Sequence, residues 1–136
     1  MDIKTIILCE SATRHSDGTF SLLRGGIDNW VAQQFPVTIS FTFVITVELP
    51  LSEANEQHTA GLDIIDEDGT RLVPQAKIQF AASKVPHVVN FKNNIMGTIN
   101  LTVPKPGRHS LNVAVDGTPL ASYEFLVVKA AEQGQA

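Results

Sequence analysis

Phe35-Pro36-Val37-Thr38-Ile39-Ser40-Phe41-Thr42-Phe43-Val44-Ile45-Thr46-Val47-Glu48-Leu49-Pro50 is the stretch whose reading decides the fold. Every odd-numbered residue in it is apolar, from Phe35 through Ile39, Phe41, Phe43 and Ile45 to Leu49. The positions between are mainly hydroxyl-bearing: Thr38, Ser40, Thr42 and Thr46, with Glu48 near the end. Strict period-two alternation places the two sets on opposite faces of a β-strand. β-branched and aromatic side chains suit that pleated surface, and the two prolines mark where ladder pairing stops. At roughly 3.3 Å per residue the strand spans about 45 Å, so it is expected to bend, bulge or pass from one sheet to another. An apolar face of this length needs a second sheet to cover it. The expected fold is therefore all-β: a two-sheet antiparallel β-sandwich of eight or nine strands.

The flanking segments carry the same signature. Residues 3–14 open with Ile3, Ile6, Ile7, Leu8 and Cys9, apolar on both parities as in a strand covered on both faces. Ser16-Asp17-Gly18-Thr19 then turns the chain back through Phe20, Leu22 and Leu23. Gly25-Gly26 interrupts before Ile27-Asp28-Asn29-Trp30. After the long strand, residues 50–58 lose the β pattern, and Ser52 with Glu53 can start one helical turn. Leu62, Ile64 and Ile65 lead into the turn Asp66-Glu67-Asp68-Gly69-Thr70. Leu72, Ala76, Ile78 and Phe80 share one parity in a segment that Pro74 marks as an edge or bulge. A short β segment is expected over residues 86–91, a turn at Asn93-Asn94, and a further strand through Ile99, Leu101 and Val103. The final hairpin turns at Asp116-Gly117 between Leu111, Val113, Val115 and Ala121, Tyr123, Phe125, Val127. Residues 1–128 are expected to form one domain, and 129–136, with no apolar anchor larger than alanine beyond Lys129, a flexible C-terminal tail.

Composition narrows the function classes. Ten basic and fourteen acidic residues give a net charge of −4, which disfavours a nucleic-acid partner held through phosphates. The apolar run Ile6–Cys9 is too short for a signal-peptide core or a membrane span, so no membrane is expected. A single cysteine, Cys9, forms no internal disulfide, which points to a reducing, cytoplasmic setting.

The candidate chemistry is sparse. Asp66 and Asp68 before Gly69 resemble the opening of a calcium loop, but Thr70 and Lys77 stand where further ligands belong. His15, His58, His87 and His109 lack the short spacings of zinc sites. No metal and no cofactor are expected. His58 with Glu53, Asn55 and Asp66 or Asp68 contains the groups for acid–base chemistry, yet no Gly-x-Ser-x-Gly or Cys–His pairing supplies a nucleophile. Asn55 and His58 are expected instead to close the crossover loop by bonding its backbone. Trp30, the sole tryptophan, is a core residue or an exposed contact residue.

Two resemblances rest on specific residues. Val103-Pro104-Lys105-Pro106-Gly107-Arg108-His109-Ser110-Leu111 resembles the corner opening the penultimate strand of immunoglobulin-like sandwiches. There a tyrosine hydroxyl bonds back to the backbone; here His109 takes the place, and an imidazole N–H can serve similarly. Pro50, Glu53-Ala54-Asn55, His58, Leu62, Ile64 and Asp66-Glu67-Asp68-Gly69 resemble the pattern of a bacterial family of small β-sandwich proteins known only as a domain of unknown function. The opening strand, the Asp17-Gly18 hairpin and Gly25-Gly26 extend that likeness over most of residues 3–128. It implies a β-sandwich and a bacterial, cytoplasmic home, and it implies no activity. The expected function is a non-catalytic module for interaction with a protein partner or for self-assembly as a homo-oligomer. The alternatives are a small-molecule or carbohydrate-binding sandwich using Trp30 and the Glu53–His58 loop, and an enzyme with His58 as general base.

Overall fold

The computed structural model describes residues 1–81 and 90–130. The chain is mostly β, with ten strands among these residues: β1 (Asp2–Cys9), β2 (Ser11–Arg14), β3 (Phe20–Leu23), β4 (Asn29–Ala32), β5 (Val37–Pro50), β6 (His58–Asp66), β7 (Ala76–Phe80), β8 (Asn90–Val103), β9 (Gly107–Val115) and β10 (Thr118–Lys129). They form a three-stranded sheet β1-β5-β8, a five-stranded sheet β4-β10-β9-β6-β7 and the hairpin β2-β3. The five-stranded sheet curls into a half-barrel. A single 3₁₀ turn, Leu51–Glu53, is the helical element among the described residues.

The alternating stretch is β5, and it behaves more simply than its length suggests. It stays in one sheet, pairing antiparallel with β8 from Val37↔Val103 to Pro50↔Asn90 without a shift in register. An equally long partner removes the need to bulge or to change sheets. The register break lies in β1 instead, between Ile3 and Thr5. This long β8 corrects the expected turn at Asn93-Asn94, which is strand. Both asparagines are tolerated there because their amides find partners: Asn93 Nδ2 donates to Ala81 O at 3.0 Å and Asn94 Nδ2 to Gly18 O at 3.0 Å. Most of the segment expected at 86–91 lies outside the described residues.

The odd-numbered face of β5 builds the core. Phe41, Phe43, Ile45, Val47 and Leu49 are all buried and meet Leu62, Ile64, Leu111, Val113, Phe125 and Val127 of the five-stranded sheet in one cluster. The other face is also buried at its centre, where Thr42 and Val44 are covered. The β2-β3 hairpin lies on that side, tied down by an Arg14 Nη2 donation to Asn94 O. Thr42 and Thr98 hydroxyls bond across β5 and β8 at 3.1 Å, and Thr46 Oγ1 donates to Asn94 Oδ1 at 2.7 Å. Cys9 is fully buried beside them; its thiol donates to Thr42 O at 3.4 Å and burial pushes its pKa up, so it packs as a small hydrophobe.

One pairing departs from the antiparallel expectation. β4 runs parallel to β10, Trp30 opposite Val127 and Val31 opposite Val128. Alternation specifies which face a side chain takes but not strand direction, so the sequence held no signal for it.

Phe43 is opposite Gly97 on β8, and a Cβ at Gly97 would lie 2.8 Å from Phe43 Cζ. The ring therefore occupies the space that a side chain at residue 97 would fill. Phe43→Ala is expected to cost about 3–5 kcal/mol. Gly97→Ala is expected to cost about 1–3 kcal/mol by overpacking the same spot. Urea denaturation measures both; a loss under about 1 kcal/mol for Phe43→Ala would mean this face is not core.

Candidate functional site

The residues singled out by sequence fall in three separate places. Trp30 sits in β4, half-buried, its ring 5.3 Å from both Phe41 and Phe125. Those contacts continue to His109, which stacks on Phe125 at 5.4 Å and 14°. His109 is buried, and its Nδ1–H donates to Gly107 O at 3.0 Å, the backbone bond expected of the corner. Tyr123 Oη donates to Ile27 O at 2.8 Å, fixing the entry to β4 from the β10 side.

Asp66 and Asp68 belong to the turn after β6. Asp66 Oδ1 accepts from the backbone N–H of Asp68 and of Thr70, both at 2.9 Å, so this carboxylate shapes its own loop. Asp68 Oδ2 lies 2.6 Å from Lys105 Nζ. Among the described residues no group of three His, Cys, Asp or Glu side chains converges as a metal site would require.

Glu53, Asn55 and His58 are at the crossover from β5 to β6. Asn55 takes φ 64°, a left-handed conformation that asparagine tolerates better than most residues. His58 is the first residue of β6 rather than part of the loop, and it is buried. Its Nε2 donates to Glu53 O at 2.9 Å, across the crossover. Its Nδ1 lies 2.6 Å from Asp116 Oδ2, in the turn between β9 and β10. Both ring nitrogens face acceptors, an arrangement that only the doubly protonated ring satisfies in full. Phe80 packs against it, 5.6 Å between centroids.

The electrostatics agree with that geometry. Burial alone pushes the His58 pKa down, but the Asp116 carboxylate and the Glu53 carbonyl together outweigh it and raise the pKa above the ordinary imidazole value. Asp116 is held below the ordinary carboxylate value, first by the His58 hydrogen bond and then by the Thr59 N–H, which donates to Asp116 Oδ1 at 3.0 Å. Glu53 Oε2 is buried without a hydrogen-bond donor among the described residues, adding negative potential beside the ring. Asp116 N donates in turn to Thr59 O at 2.9 Å. Three chain segments are thereby locked by one ring.

A general base needs a free lone pair facing a substrate. His58 has both ring nitrogens bonded and is buried, so in this arrangement its bonds brace the crossover against the β9–β10 turn. Asp116 was missed by sequence reasoning: Asp116-Gly117 reads as a hairpin turn, with φ 51° and 83° as such a turn demands, and that role hides the carboxylate's second one. One surface groove, about 550 Å³, is lined by Asp66, Glu67, Arg108, Ser110, Glu124 and Leu126, among others. Another, about 410 Å³, borders the cluster itself, with Thr59, Asp116 and Gly117 in its lining.

Fold and site together define a small β-domain whose best-placed titratable cluster is consumed by its own architecture. The chain belongs to the DUF6941 family, a family of unknown function, whose model matches residues 4–128. No curated protein matches it significantly.

The brace gives stability a pH signature. The raised His58 pKa contributes stability that is full below the unfolded imidazole pKa and is lost as pH rises through the folded one. The lowered Asp116 pKa contributes stability that is present above the unfolded carboxylate pKa and is lost as pH falls through the folded one. The melting temperature is thus expected to be highest in mildly acidic solution and to fall through neutral into alkaline pH. His58→Gln should flatten that alkaline fall and cost about 1–3 kcal/mol at about pH 6. Thermal denaturation across pH checks both; an unchanged alkaline fall in the variant would place the titrating group elsewhere.

Proposed function

We propose that this protein is a non-catalytic interaction module built on an immunoglobulin-like two-sheet sandwich and working in a bacterial cytoplasm. The observation that carries this reading is an exposed apolar surface where β4 meets β10. Val31 lies opposite Val128 in register, and Leu126 is two residues along the same face of β10. Three large apolar side chains left together in water mark a contact surface more often than scattered single ones do. Two sheets sharing one core, and the His109 backbone bond at the corner, support the immunoglobulin-like description. One fully buried cysteine supports a reducing compartment, and the residue pattern at positions 50–69 supports a bacterial source. No helix among the described residues is long and apolar enough to cross a membrane.

The other readings have less beneath them. A sugar site built from Trp30 and the Glu53–His58 loop would need them side by side, yet β4 and β6 are three strands apart in the sheet order, about 14 Å. An enzyme using His58 would need the ring that Asp116 and Glu53 already occupy. Thermal-shift screening against metabolite and sugar panels distinguishes these from an interaction module. No ligand is expected to raise the melting temperature, and a shift abolished by His58→Gln or Trp30→Ala would overturn the proposal.

A further inference from the structure

The free edges of the sheets are not treated alike. β1 carries Lys4 at its register break, and β7 follows Pro74 and contains Lys77; charge, proline and bulges are the usual devices that stop strands from pairing with a neighbour. β4 has none of these three, and its protection is limited to its short length of four residues. It is the outermost strand of the five-stranded sheet, and its residues Asn29, Trp30, Val31 and Ala32 are uncharged. Val31 is 64% exposed, Leu126 43% and Val128 37%. The carbonyls of Asp28 and Ala32 accept from Leu126 and Ala130 of the β10 side. Alternate carbonyls of an extended strand point opposite ways, so those of Asn29 and Val31 face the open edge.

Resting on the interaction-module reading, we propose that β4 is where two copies of this chain associate, by antiparallel pairing of β4 with β4 of the second copy. A two-fold contact requires a surface that complements itself. Pairing Asn29 with Val31 of the second copy sets Asp28 opposite Ala32, the residue in register with Lys129. Asp28 belongs to a groove shared with Glu124, Arg108 and Leu126, so the end of β4 that carries Asp28 is acidic. Lys129 stands at the other end. The antiparallel arrangement brings each acidic end to the lysine of the other copy, whereas parallel pairing would set like against like. On the outer face, Val128 and Val31 of one copy then continue into Asn29 and Leu126 of the other, since Leu126 is in register with Asn29. The edge is covered, the apolar row runs on across the seam, and the two five-stranded sheets become continuous.

Sedimentation velocity of the wild type from low micromolar to sub-millimolar concentration reads the association directly, with Val31→Lys and Lys129→Glu alongside. The wild type should reach the mass of a dimer and stop there. Val31→Lys should remain monomeric throughout, with unchanged circular dichroism and, at concentrations where the wild type is also monomeric, an unchanged melting temperature, because residue 31 is largely exposed. Lys129→Glu should weaken the dimer by about tenfold, and adding Asp28→Lys should restore it. A monomeric wild type at every concentration overturns the proposal, as does a dimer that persists in Val31→Lys. Either result leaves the broader interaction reading standing, since that reading falls only to a ligand whose binding needs His58 or Trp30.

Discussion

The pairing of β5 with β8 is the constraint from which the rest follows. Fourteen residues of β5 pair in unbroken register. β1 adds to its other side from Thr42 to Glu48, so that half of the strand is central and its ladder groups are satisfied within one sheet. Once that sheet exists, its apolar face must be covered, and the five-stranded sheet does this with Leu62, Ile64, Leu111, Val113, Phe125 and Val127. Its second face carries the buried Thr42 and Val44, too few to demand a full layer, and a hairpin of two four-residue strands suffices. The chain thus spends a long sheet, a curled sheet and a small flap on one strand's two faces.

Periodicity was the legible part of the fold. Phe41, Phe43 and Ile45 could be placed in the core from alternation alone, because a strand's side chains have only two directions. Asp17-Gly18 and Asp116-Gly117 could be placed as turns because Gly18, Asp116 and Gly117 take the positive φ such turns demand. What alternation leaves open is pairing. The parallel run of β4 beside β10 and the continuity of β8 through Asn93 and Asn94 depend on which strand lies alongside, and the residues themselves carry no mark of it. Asn93 and Asn94 read as a turn because their amides compete with ladder bonding. In place, those amides reach Ala81 and Gly18, and β5 supplies the ladder.

The site was legible in part for a similar reason. Position and type pointed to His58 as a residue that bonds the crossover's backbone, and its Nε2 donates to Glu53 O. The stronger partner, Asp116, is 58 residues further on in a hairpin whose turn already accounted for an aspartate. Trp30, Asp66 and Asp68 read as candidates because aromatic and acidic side chains bind ligands. Each is taken up within the fold, by Phe41 and Phe125, by the loop's own N–H groups, and by Lys105 respectively.

The burial of Cys9 makes the small flap measurable. The thiol sits where β1 gives way to the β2-β3 hairpin, and Glu10 N, the next amide, bonds Leu23 O at the hairpin's base. A reagent can reach that sulfur only after local opening, and opening at the margin of a sheet needs less free energy than global unfolding. The single cysteine is therefore a clock for one motion. Its alkylation rate under native conditions reports how often the flap lifts from β5, while the melting temperature reports the sheets beneath.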